Sequence, residues 1–151
     1  MEVLEISLHC RFKSGRADAF RYRCFVRLNC LWKNSPSYII AKRKVSTLIL
    51  VHRVQLLEQW IARLSAFLGL EAEAIGRVGG GKRNVTGNID VAMIQSLHTK
   101  GQIDDIVANY GQVIADECHH LAAASFETVI SRSKARFILG LSATVTRQAK
   151  I

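Results

Sequence analysis

The sequence predicts a parallel α/β sheet with helices on both faces, and three observations carry that prediction. Short apolar runs recur along the chain as STLILV (Ser46 to Val51), IDVAMI (Ile89 to Ile94), QVIAD (Gln112 to Asp116) and ARFILGLSA (Ala135 to Ala143). They are largely continuous rather than alternating, as in strands buried on both faces. Segments with helical spacing lie between them, and strands alternating with helices build parallel sheets.

Taken in order, Ser35-Pro36 opens a short helix through about Lys44, with Ser as N-cap and Pro at the first helical position. STLILV feeds a helix from about Arg53 to Leu68. There Val54, Leu57, Ile61, Leu64 and Leu68 recur at three- and four-residue steps, and Gly69 is a stop. A short strand covers Ala74 to Val78, followed by the turn-rich GGGKRNVTGN. After IDVAMI, helical material runs to about Asn109, broken near Gly101. QVIAD is the next strand, a helix spans about Ser125 to Ser131, and ARFILGLSA is the last strand. The chain has no internal repeat and no low-complexity tract.

A length of 151 residues fits one domain, and 49% hydrophobic with 22% charged residues is a globular composition. No apolar run reaches the roughly 18 to 20 residues of a membrane span. The start lacks a basic stretch followed by an apolar one, so no secretory signal and a cytoplasmic location are expected. Cys10, Cys24, Cys30 and Cys118 form no CxxC pair. Three of them share one segment, which allows a metal site there, but free thiols in a reducing compartment are the simpler reading.

The net charge of +9 is uneven: residues 1 to 44 hold ten Lys/Arg against three Asp/Glu, and the remainder eleven against nine. Residues 1 to 36 follow neither a helical nor a strand period. They are read as an atypical basic leader apart from a domain at 37 to 151, packing poorly on the sheet. Such a leader either attracts phosphates or is simply solvated.

In open parallel sheets ligands bind beyond the carboxyl ends of the strands. VIADECHH (Val113 to His120) puts Asp116 and Glu117 at such an end. Two carboxylates at the tip of a buried strand are unfavourable unless something there needs them. Magnesium takes oxygen ligands and keeps several waters, so one carboxylate can hold its shell while a neighbour polarises an attacking water. Asp116 is assigned to the metal and Glu117 to the water. The plainer alternative is that both cap the following helix. Zinc at Glu117 to His120 is the weaker reading, because four consecutive residues do not easily converge on a tetrahedral ion and the usual ligand spacings are absent. GLSATVTR (Gly140 to Arg147) ends the next apolar run, where Ser142 and Thr144 can bond to a neighbouring strand's polar groups or be ordinary loop residues.

Together these runs resemble a known family. Asp116-Glu117-Cys118-His119 resembles the DExH box of superfamily-two helicases and translocases, and Ser142-Ala143-Thr144 resembles their SAT motif. LVHRVQLLEQW (Leu50 to Trp60) resembles motif Ia, and IDVAMIQSL (Ile89 to Leu97) the later motif that touches the same nucleic-acid strand. All four occur in family order, each after an apolar strand, and DECHH is similar to the type III restriction and DNA-repair-like branch. The resemblance covers about Ser37 to Arg147. It implies a RecA-like fold of the P-loop NTPase type, ATP and magnesium as cofactors, and nucleic acid as partner, DNA before RNA. It places His52 and Arg53 near backbone phosphates, Gln95 and Ser96 at a second contact, and His119 between the nucleotide site and the coupling residues Ser142 and Thr144.

The sequence also departs from the family. A phosphate loop reads GxxxxGK followed by Ser or Thr, and none precedes SYIIAK, where LNCLWKN stands instead. A truncation or shifted reading frame is the expected cause, and a second motor domain is expected to be needed. GRVGGGK (Gly76 to Lys82) fits the loop's glycine and lysine spacing, but Arg83 follows it. It is read as a basic hairpin loop whose Lys82 and Arg83 can touch nucleic acid. Two other readings stay open: a non-catalytic nucleic-acid-binding remnant using Arg53, Lys82, Arg83 and the leader, and a flavodoxin-like binding module.

Overall fold

A computed structural model of the chain describes residues 22–27, 35–99, 102–117 and 123–142. Its main sheet has seven strands in the order β1-β9-β8-β2-β5-β3-β4. These are β1 (Tyr22–Arg27), β2 (Thr47–Val51), β3 (Gly76–Gly79), β4 (Lys82–Asn84), β5 (Ile89–Met93), β8 (Gln112–Ala115) and β9 (Phe137–Ser142). Every pairing is parallel except β3 with β4. The strand that leads into Asp116, β8, is therefore an interior strand paired on both sides.

Alternate strand residues feed two separate cores, which is why the runs read as continuous rather than alternating. Ile49, Val51, Val91, Ile114, Leu139 and Leu141 share one core with Ile40 of helix α1 (Ser35–Arg43) and with Leu57, Trp60 and Leu64 of helix α2 (Val54–Leu68). Leu48, Leu50, Ala92, Val113, Ala115 and Ile138 share the other with Val129 and Ile130 of helix α3 (Ala123–Arg132). Both faces are thus covered by helices. Gly69 closes α2 in the left-handed conformation, φ 65°, with its N–H donating to Ser65 O.

Two expectations are corrected. Residues 94–109 were expected to be helical, but the described ones form two short 3-10 turns, Ile94–Leu97 and Asp105–Asn109, and an antiparallel pair of short strands, β6 (His98–Thr99) and β7 (Gln102–Ile103). Leu97, Ile103 and Val107 are buried at spacings set by that fold rather than by one helix face. The second correction concerns the leader, where no element was expected. Tyr22 to Arg27 pairs along its whole length with Phe137 to Ser142. An edge strand is held by backbone hydrogen bonds to one neighbour, which do not require the side-chain periodicity sought in the sequence.

GRVGGGK is a hairpin, as expected, and not a phosphate loop. Gly80 and Gly81 have φ of 62° and 77°, the conformation a two-residue turn between twisted strands favours. Lys82 and Arg83 lie on β4 itself rather than in the turn. A phosphate loop instead joins a strand to the start of a helix. In this chain that framework is β1 followed by α1, and the residues between them, 28–34, include no glycine.

At the amino end of the sheet one polar cluster was not foreseen. Asp90 on β5 is fully buried. It accepts from Thr86 N at 3.0 Å, Gly87 N at 2.9 Å, the Thr86 hydroxyl and the Tyr110 phenol. Burial and the Asp90 carboxylate push the Tyr110 phenol far above its usual range. Gly76 is required beside them, since a Cβ there would lie 1.7 Å from Asp90 Oδ1.

Candidate active site

The register sets the carboxyl edge. Leu50 is level with Ala115, and Ala115 with Gly140, so Asp116 and Glu117 leave β8 beside the last residues of β9. The Asp116 N–H donates to Leu50 O at 2.9 Å, which continues the ladder by one residue and fixes where its side chain starts. Both carboxylate oxygens of Asp116 are engaged. Oδ2 accepts from the Trp60 indole at 2.7 Å, and Oδ1 accepts from the Glu117 N–H at 2.9 Å.

Glu117 takes a positive φ of 46°. For a residue without a glycine's freedom or an Asn-like side chain this is unfavourable by on the order of 1–3 kcal/mol, and such residues cluster at functional sites. Its carboxylate is 39% exposed and lies 4.0 Å from His52 Nε2. Among the described residues helix α3 runs from Ala123 to Arg132.

The nucleic-acid candidates spread along the same edge. His52 and Arg53 form the turn from β2 into α2. The His52 side chain is only 12% exposed and faces Glu117, whereas Arg53 is exposed at the N-cap of α2 with no side-chain cap. Gln95 is exposed and donates from Nε2 to His52 O at 3.1 Å, tying the end of β5 to the end of β2. Ser96 is half-buried in the 3-10 turn beside it. Lys82 is exposed, but Arg83 is ion-paired to Asp104 at 2.6 Å. Ser142 ends β9, two residues beyond Gly140 and level with Arg27. His119 and Thr144 lie outside the described residues.

The donor set suits a hard cation. An ionised carboxylate has about four lone-pair sites, so two accepted hydrogen bonds leave Asp116 further acceptor capacity toward magnesium or its waters. Among the described residues no cluster of three or more His, Cys, Asp or Glu could by itself hold a metal. Sequence reasoning missed Trp60 and the Glu117 backbone. Trp60 is one more apolar residue at helical spacing, and no sequence pattern signals a positive φ at glutamate.

Fold and edge together define a RecA-like domain of the superfamily-two helicase class. Residues 32–147 match the model of the type III restriction enzyme res subunit family. The chain is 33% identical over 114 residues to a protein of Acanthamoeba polyphaga mimivirus provisionally named an ATP-dependent RNA helicase, covering 76% of this chain and 22% of that one. It is 30% identical over 109 residues to a DNA 3'-5' translocase of Sulfurisphaera tokodaii, covering 72% and 24%. The crystal structure of the UvsW helicase from bacteriophage T4 superposes with a TM-score of 0.62 at 20% identity, covering 82% of this chain and 47% of that one. The chain belongs to the type III restriction res subunit family of helicase domains, and it spans less than a quarter of the length of the two curated relatives. Among the described residues no helix is long and apolar enough to cross a membrane.

Proposed function

We propose that this chain is part of the ATP-binding motor domain of a helicase or translocase that moves on nucleic acid, DNA before RNA. ATP use comes with the family; the residue roles are our reading. Asp116 would hold the shell of a magnesium ion, which when bound neutralises charge developing on the transferring phosphate. Glu117 orients the attacking water and takes its proton. Arg53 and the first turn of α2 meet backbone phosphates, joined by Gln95, Ser96 and Lys82. His52 belongs with Glu117 rather than with the phosphates, because its ring is covered and turned to that carboxylate. His119 passes the state of the nucleotide to Ser142 and Thr144. The family's second motor domain completes the site.

The single observation that carries the reading is the pair Asp116-Glu117 at the carboxyl end of an interior strand, with Asp116 pinned on both oxygens and Glu117 in a strained backbone. The glycine-free 28–34 segment sets the expected activity of the chain on its own. Removing even one donor to developing charge lowers rates by roughly 100-fold or more, so a chain without the loop should release phosphate no faster than background. A fusion that supplies an intact phosphate loop ahead of α1 and the second motor domain of a relative should hydrolyse ATP with stimulation by DNA. Glu117→Gln in that fusion should reduce the rate by about 100-fold or more. Phosphate release with single-stranded DNA, duplex DNA and RNA would measure all of this. A fusion indifferent to Glu117→Gln would remove the assignment of the base.

A further inference from the structure

Asp116 has a partner on another element that its sequence motif does not contain. Trp60 lies on the buried face of α2 between Leu57 and Leu64, is 4% exposed, and donates its indole N–H to Asp116 Oδ2 at 2.7 Å. A buried indole usually finds some acceptor, and any nearby backbone carbonyl would satisfy it. Here the acceptor is the carboxylate at the carboxyl edge of the sheet. The Glu117 N–H holds the other oxygen at 2.9 Å, and the Asp116 N–H is held by Leu50 O. Two donors from fixed directions define the plane of the carboxylate. One of them moves with the site's own backbone. The other is carried by a helix packed beneath the sheet.

The donor is also neutral. A lysine or arginine in the same place would satisfy the carboxylate but would cancel the charge that attracts a cation. An indole N–H orients the group and leaves its charge intact, as outer-sphere partners of metal-binding carboxylates do. We propose that Trp60 is a positioning residue for a divalent-cation site at Asp116: its indole N–H fixes the carboxylate so that its unused lone pairs remain presented to the ion. This rests on the reading of Asp116 as the magnesium-holding residue.

The test uses the full chain and manganese as the probe. Free Mn2+ is followed by electron paramagnetic resonance for the unmodified chain, Asp116→Asn, Trp60→Phe, and a chain carrying benzothienylalanine at position 60. That last side chain keeps the bicyclic shape and replaces the N–H by sulfur, so it guards against a variant that merely repacks badly. Thermal melts establish which variants are folded. The expected result is binding that Asp116→Asn abolishes and that both Trp60 changes weaken about tenfold or more, in line with the loss of an outer-sphere partner.

A purely structural indole predicts the opposite split, with lower melting temperatures and unchanged Mn2+ affinity. Unchanged affinity in the folded benzothienylalanine chain would overturn the proposal. Loss of the fold in both Trp60 variants would also decide against it, in favour of a packing role. Should Asp116→Asn bind Mn2+ as well as the unmodified chain, the metal reading of Asp116 itself fails. That outcome is recognised before any change at Trp60 is considered.

Discussion

The two ends of the one parallel sheet each carry an aspartate, and the two are used in opposite ways. Asp90, at the amino end, is fully buried and surrounded by donors from Thr86, Gly87 and Tyr110. Asp116, at the carboxyl end, is only partly covered and accepts two hydrogen bonds. A carboxylate saturated with donors is a structural pin, because its hydrogen-bonding capacity is already used within the fold. One with capacity left at an open edge remains available to a ligand. An acidic residue in a sheet is thus classified by how many of its lone pairs the protein itself fills, not by burial alone.

That contrast can be broken by mutation. Asp90→Ala should destabilise the fold by about 3 kcal/mol or more, because several buried donors lose their acceptor together. Asp116→Asn should cost less, about 1 kcal/mol, since an amide oxygen can still accept from Trp60 and only the partly exposed Glu117 N–H loses its acceptor. Urea unfolding of both variants measures the comparison, and equal losses would show that the two ends are alike. Next in size, Gly76→Ala should cost about 2 kcal/mol by driving a methyl group into the Asp90 carboxylate. The melting temperature would report it, and a neutral effect would mean the Asp90 cluster can shift aside.

A smaller effect sharpens the contrast at the carboxyl end. Arg53→Ala should weaken binding of a short DNA duplex several-fold and lower the salt slope of binding by about one. Arg83→Ala should do less, because Arg83 is already paired to Asp104. Fluorescence anisotropy at several salt concentrations distinguishes the two. A larger loss at Arg83 than at Arg53 would move the nucleic-acid path onto the β3–β4 hairpin.

Much of this was legible in the sequence. The buried runs located the strands β2, β5, β8 and β9, because strands covered on both faces need apolar residues at nearly every position. The helical spacing from Val54 to Leu68 and the stop at Gly69 gave α2 almost to the residue. Asp116 and Glu117 were visible because charge at the tip of an apolar run has few structural uses. Other features left no local trace. The strand Tyr22–Arg27 is held by backbone pairing to β9, a partner far along the chain. The 3-10 turns at 94–97 and 105–109 bury Leu97 and Val107 without a sustained helical period. The Asp90 cluster joins residues from two separate segments, and one acidic residue inside IDVAMI does not reveal its donors. Trp60 and His52 carried apolar-spacing or helix-start signals that said nothing about which carboxylate each would face.

On the role proposed for Asp116, the carboxyl end of the sheet is the cation end and the amino end is not. Paramagnetic broadening of backbone amide resonances by added Mn2+ tests this in a single titration of the unmodified chain. Amides beside Asp116, such as those of Leu50, Val51, Glu117 and Leu141, should broaden first. Those around Asp90, Thr86 and Tyr110 should stay sharp at the same concentration. Broadening that begins at the Asp90 end, or that spreads evenly over exposed acidic residues and spares Asp116, would contradict it.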